Sequence, residues 1–266
     1  LAKLPNLTYL DFTYCVKLTD VPPLANLPNL TTLNFRKCES LANIASLTNL
    51  PNLTTLNFWD CRSLTKTPPL TNLPKLTSLN FEDCEILTDI TSLTNLQNLT
   101  SLDFWGCTSL SDITPLTNLQ NLTSLDFLGC ESLTDITSLS ALRKLEVLDL
   151  ENCTKIRDIR PLAWMPNLVE LHLSHCKNIK SLYPITGLKN LETLSVTIPD
   201  NNLAFLRNLR QLKELRFANC FKLSNVAPLA KIQSLEKLKF YRCKRVTKEK
   251  IDELRKKLPN CEITIY

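Results

Sequence analysis

Apolar and polar residues alternate for a few positions, break off, and resume after a fixed interval. In residues 99–107, LTSLDFWGC, Leu102 and Phe104 alternate with Ser101 and Asp103, which is the pattern of a short strand with one buried side. Leucines hold this frame at 7, 30, 53, 76, 99, 122, 145, 168 and 191 and, after one 21-residue step, at 212, 235 and 258. Cysteines keep the same 23-residue beat at 15, 38, 61, 84, 107, 130, 153 and 176, then fall at 220, 243 and 261. The chain therefore divides into about twelve units. None is large enough to bury its own Leu and Ile, so neighbours must stack. The expected fold is an α/β solenoid: a curved parallel sheet on the concave side, one strand per unit, with short helical or irregular segments on the convex side. At about 4.8 Å between strands, the inner face runs for roughly 50 Å.

A polar residue also recurs where each strand layer turns outward: Asp20, Asp89, Asp112, Asp135 and Asp158, with Asn43 and Asn225 as variants. Short side-chain acceptors at such a place satisfy free backbone N–H groups as a helix N-cap does.

The consensus L-x-x-L-x-F-x-x-C-x-x-L-x-D-I-x-x-L-x-N-L-x-N resembles a leucine-rich repeat of the cysteine type, and the match covers essentially the whole chain. The stretch DITPLTNLQNLTSLDF is similar to internalin-type and trypanosome surface-associated repeats. LNFRKCESLANI and PPLANLPNLTTLNF resemble the repeats of plant intracellular immune receptors, and the Cys variant resembles F-box substrate receptors. These resemblances imply a recognition module inside a larger receptor, ubiquitin-ligase adaptor or secreted microbial effector. The opening LAKLPNL matches LANLPNL at 24–30, so the first residues are expected to lie inside a repeat, without an N-terminal cap.

The eleven cysteines are expected to form a core ladder, each thiol a small buried group with a weak donor for a backbone carbonyl. Parallel Cβ vectors one strand apart do not suit a disulfide, and no C-x-x-C pair marks a zinc site. So many unpaired thiols favour a reducing intracellular compartment. Against this stand N-x-S/T sequons at Asn6, Asn29, Asn52, Asn98, Asn121 and Asn152, which fit a secreted effector or simply restate the repeated NLT.

Outward strand positions are free to vary without damage to the core. The residue two before each Cys, or its equivalent, reads Thr13, Arg36, Trp59, Glu82, Trp105, Leu128, Glu151, Ser174, Thr197, Ala218 and Tyr241, a series no packing rule generates. Trp59, Trp105 and Leu128 are the expected anchors of a protein partner on the concave face. Around them stand Asp60, Glu82, Asp83, Asp103, Asp126, Asp149 and Glu151. Asp103, Asp126 and Asp149 share one column, where like charges oppose each other and a cationic partner would relieve them. The footprint is expected to extend through His172 and His175 to Arg216, Lys239, Tyr241 and Arg242.

Charge divides along the array. Residues 1–139 hold 7 basic and 13 acidic side chains, net −6, and residues 140–266 hold 24 and 13, net +11. The basic half is an alternative surface for nucleic acid or an anionic membrane, although only Tyr241 is interleaved as an aromatic, which disfavours nucleic acid. Two irregularities interrupt the pattern. The unit from Leu191 is two residues short and places Pro199 where Cys belongs, and Trp164 stands in an outer segment where other units have Asn. At the end, Ile251, Leu254 and Leu258 recur at helical spacing before CEITIY, so residues 247–266 are expected to cap the 1–246 array within the same domain.

Three glycines leave no phosphate-binding loop or dinucleotide fingerprint, and no stretch is long and apolar enough for a membrane span. His172 and His175 lack a third ligand at motif spacing, and the carboxylates lie on an open face. No cofactor, no metal and no catalysis are expected. The enzymatic alternative is a substrate-recognition part whose catalytic domain lies outside this chain. The chain is expected to be monomeric on its own.

Overall fold

A computed structural model describes residues 4–21, 24, 27–42, 44, 47 and 49–266. Each leucine frame becomes one strand: β1 (Tyr9–Asp11), β2 (Thr32–Asn34), β3 (Thr55–Asn57), β4 (Ser78–Asn80), β5 (Ser101–Asp103) and β6 (Ser124–Asp126). β7 (Val147–Asp149), β8 (Glu170–Leu173), β9 (Thr193–Val196), β10 (Glu214–Ala218), β11 (Lys237–Tyr241) and β12 (Glu262–Ile265) complete the series. All pair in parallel with their chain neighbours, in the order β1 to β12, and the register follows the repeat: Leu79, Leu102, Leu125 and Leu148 lie side by side. The expected leucine-rich-repeat solenoid is the fold.

The first core row is aromatic. Phe12, Phe35, Phe58, Phe81, Phe104 and Phe127 stack with centroids 5.2–5.8 Å apart and planes within 10°. Leu150, Leu173 and Val196 replace Phe in the next three units, and Phe217 and Phe240 resume the stack at 5.5 Å. The second row is the cysteine ladder. The thiols of Cys38, Cys61, Cys84, Cys107 and Cys130 each donate to the carbonyl of the Phe 26 residues earlier, all at 3.2 Å. Burial pushes the Cys84 and Cys176 thiols up to about 12, so they stay protonated and available as donors. All eleven cysteines are free and only Cys15 is exposed. In the native protein iodoacetamide is therefore expected to modify one thiol per chain, read by intact mass, and eleven after unfolding. Rapid native modification of several would contradict a sealed ladder.

On the outer side, among the described residues, five-residue 3-10 helices occur in seven units, from Thr91–Asn95 to Ala227–Lys231. The expected Asp stands two residues before the first residue of four of these helices, and Ser181, Asn202 and Asn225 take its place in the other three. Asp112 Oδ1 accepts the Thr114 N–H (2.9 Å) and hydroxyl (2.7 Å), and Asp89 and Asp135 do the same for Thr91 and Thr137. Asp158 holds Arg160, Asn225 accepts the Ala227 N–H, and Asp20 accepts that of Val21. Asn43 lies outside the described residues. The sequon asparagines form another rung: the Nδ2 groups of Asn29, Asn52, Asn98 and Asn121 donate to carbonyls 24 residues earlier at 2.7–2.9 Å. That bond gives the repeated Asn of NLT a structural role. At the C-terminal end the helix α1 (Lys248–Lys257) buries Ile251 and Leu254 and packs against the Ala227–Lys231 turn.

Candidate functional site

Ten of the twelve strands lead into a tight turn whose second residue is left-handed. Tyr14, Lys37, Asp60, Asp83, Gly106, Gly129, Asn152, His175, Asn219 and Arg242 occupy this rung with φ between 51° and 75°. Two of the three glycines therefore have a structural reason, since the left-handed region carries a steric penalty for residues with a Cβ. At Gly106 a Cβ would also collide with the Asp83 carboxylate. The series was invisible in the sequence because Tyr, Lys, Asp and His stand in it beside Gly and Asn.

The carboxylate column has a local duty. Asp103, Asp126 and Asp149 are paired in register, and Oδ1 of each accepts the backbone N–H two residues on, from Trp105, Leu128 and Glu151, at 2.9, 2.7 and 2.7 Å. Asn34, Asn57 and Asn80 make the same bond with an uncharged amide. The turn thus needs an acceptor and not a charge. Three consecutive carboxylates are a feature beyond that need. Burial pushes Asp126 up to about 7 against the pull of the Leu128 N–H, and Asp149 and Asp103 push the same way. Burial also raises Asp103 and Asp149, the latter opposed by the Glu151 N–H and by His172. Glu82 is raised by burial, then by Asp103 and Asp83.

The three expected anchors differ. Trp105 is 44% exposed, and Leu128 beside it is half-buried. Trp59 is covered: the Arg36 guanidinium lies 4.3 Å above its ring and its Nε1 donates to Asp83 Oδ2 at 3.3 Å. Lys37 Nζ approaches the same ring at 5.3 Å. Trp59 therefore already has an intramolecular cation partner. Asp60 is engaged within the chain as well. It is 6% exposed, occupies the left-handed rung and pairs with Arg62 at 2.6 Å, so its carboxylate is engaged at home. Ser174 and Ala218 of the variable series are buried too: Ser174, just past β8, bonds the Ser195 hydroxyl, and Ala218 lies within the longer strand β10.

Further along, His172 continues the carboxylate column opposite Asp149, with Nε2 2.7 Å from Glu170. His175 lies on the left-handed rung, 4.0 Å from Glu151. The Cys176 thiol donates inward to Leu150 O, so these three side chains do not converge. Arg216 and Lys239 are register partners, yet both face Glu214, at 3.7 and 2.8 Å. Tyr241 stacks on Tyr266 at 4.4 Å with Arg216 above it. Glu214, overlooked in the sequence, neutralises the centre of the basic strip. Arg242 is exposed. Trp164, 61% exposed, ends the outer helix Arg160–Trp164. Among the described residues no helix is long and apolar enough to cross a membrane.

A twelve-strand parallel solenoid with free buried thiols and a carboxylate-lined sheet face defines a cysteine-containing leucine-rich-repeat protein. The family model for the BspA-type leucine-rich repeat region matches residues 6–124 and 195–261, and the chain belongs to that family. The model for RPS2-like plant disease resistance leucine-rich repeats matches residues 67–198. Among solved structures the chain is similar to internalin C2 of Listeria monocytogenes, with 26% identity over 78% of this chain and 83% of that one, TM-score 0.57. An internalin (InlF) of the same organism shares 22% identity over 94% and 83%, TM-score 0.63. The functional domain of InlJ from Listeria monocytogenes, which includes a cysteine ladder, shares 19% over 91% of this chain and 59% of that one, TM-score 0.50. No curated protein sequence matches the chain. Leucine-rich repeats of these kinds are generally recognition modules rather than catalysts.

Proposed function

We propose that the array binds a protein partner on its sheet face and that the contact is centred on Trp105, with Glu82, Asp83, Asp103, Asp126, Leu128, Asp149 and Glu151 around it. The observation that supports this reading is the contrast between two indoles on the same column. Trp59 is sheathed by Arg36 and held by Asp83, whereas Trp105 has Glu82 on one side and Leu128 on the other and remains 44% exposed. An indole framed by carboxylates suits a guanidinium or ammonium group. The partner segment is therefore basic. His172, His175, Arg216, Lys239, Tyr241 and Arg242 extend the face toward the other end, and α1 serves as the terminal cap of the same domain. The neutralising position of Glu214 weakens the nucleic-acid alternative.

Selection of a random peptide library on the intact protein tests the proposal. Binders are expected to be enriched in Arg and Lys and to lose about thirtyfold in affinity against Trp105→Ala. Selected peptides without basic residues, or equal binding to Trp105→Ala, would remove the proposed centre.

A further inference from the structure

The array is interrupted once, and the interruption opens a cleft. The unit from Leu191 lacks both a cysteine and a left-handed rung: that rung passes from His175 to Asn219, with Ile198 absent from it. Side chains repair the lost backbone bonds. The Thr197 hydroxyl accepts the His175 N–H (2.8 Å) and donates to Ala218 O (2.7 Å), and the Ile198 N–H donates to Cys220 Sγ (3.3 Å). Across the missing rung the Asn219 amide reaches the His175 ring at 3.2 Å.

The resulting cleft measures about 500 Å³, within the range of small-molecule sites. Ile179 and Ile198 are buried apolar residues of its lining, and Phe221, 55% exposed, lines it too. Its charged lining is Lys177, Lys222 and Arg242, with His175 beside them and no carboxylate. Some cations elsewhere in the array are engaged by carboxylates: Arg62 by Asp60, Arg160 by Asp158, Lys213 by Glu192, Lys239 by Glu214. Among the described residues Lys177, Lys222 and Arg242 make no ion pair. Three unpaired cations, an exposed aromatic ring and an apolar lining thus meet in the one place where the repeat breaks.

We infer that this cleft is a binding site for a small organic anion: a phosphate or carboxylate group, held by Lys177, Lys222 and Arg242, on an aromatic or aliphatic body that packs against Phe221, Ile179 and Ile198. The lining comes from four successive units, a width of about 14 Å at the strand spacing. Its volume and its mixed apolar and cationic lining suit a small amphiphilic anion. His175 and Arg242 also belong to the extension of the proposed protein-binding face, but none of the lining is among the residues around Trp105, so failure at one site leaves the other standing.

The test is an NMR titration of the intact protein with phenyl phosphate and, separately, phenylacetate, which distinguishes the two anionic groups. Saturable shifts of the Ile198, Asn219 and Phe221 amides, with a Kd of about 1 mM or tighter for at least one probe, are expected. Inorganic phosphate, without the apolar body, and benzyl alcohol, without the charge, are each expected to bind about tenfold more weakly. The double variant Lys222→Gln/Arg242→Asn, whose Asn suits the left-handed rung, is expected to lose about tenfold or more. Phe221→Ser provides an independent variant should the double substitution disturb folding, and is also expected to weaken binding. Shifts that stay linear to about 10 mM for both probes, or unchanged affinity in a folded variant, would overturn the assignment. Tighter binding of an acidic peptide than of either probe would overturn the small-molecule reading.

Discussion

Replacing Phe104 by alanine is expected to lower the stability of the array by about 3–5 kcal/mol, measured by urea unfolding. The ring is fully buried and stacked on both sides, 5.8 Å from Phe81 and 5.5 Å from Phe127. Removing it deletes two stacking contacts and leaves a void between units that hold each other only through nearest-neighbour packing. Unfolding is expected to separate into two transitions, as units before and after the lesion lose their coupling. Phe104→Leu is expected to cost about 1 kcal/mol, because Leu150 and Leu173 already fill the equivalent position. A loss of similar size in both variants would show that the stacked ring itself matters and that apolar volume does not substitute for it.

Asp126→Asn is expected to stabilise the protein at pH 8 by about 2 kcal/mol, half the full linkage value because the side chain keeps contact with solvent. The asparagine preserves the acceptor for the Leu128 N–H, as Asn80 does for Glu82. The sign follows from the raised carboxyl: Asp126 titrates near 7 in the folded chain and near 4 when unfolded. Below about pH 4 both states are protonated and the substitution changes little. As pH rises from about 4 to 7 the unfolded state ionises first, so the native protein progressively loses stability relative to the variant. Asp89 and Asp135, lowered by their bonds to Thr91 and Thr137, carry the opposite sign and contribute stability that is lost as pH falls through their folded values. A pH-independent effect, or destabilisation at pH 8, would refute a strained column. A cationic partner seated over Asp126 would also expel its proton, so binding is expected to release protons near neutral pH.

The repeat made much of this legible. Phe104 and Cys107 return every 23 residues for much of the chain because every unit presents the same two sockets to its neighbour. The Asp before each Ile recurs because each outward turn leaves N–H groups free. The outward series was harder. Its members do not repeat, so periodicity carries no information about which are sheathed. Trp59 and Trp105 stand in equivalent positions, and only the Arg36 that happens to precede one of them separates an occupied indole from an open one. Asp60 gave no sign of its burial, and the cleft beside Pro199 could be read only as an irregularity.

The sequence by itself determined the period, the inward rows and the parallel stacking, because those depend on contacts between copies of one pattern. Tertiary structure alone decided which outward groups are paired, which carboxylate burial pushes up and where the broken rung opens a cleft. Those outcomes depend on side chains from different units meeting across the sheet, at distances no single repeat encodes.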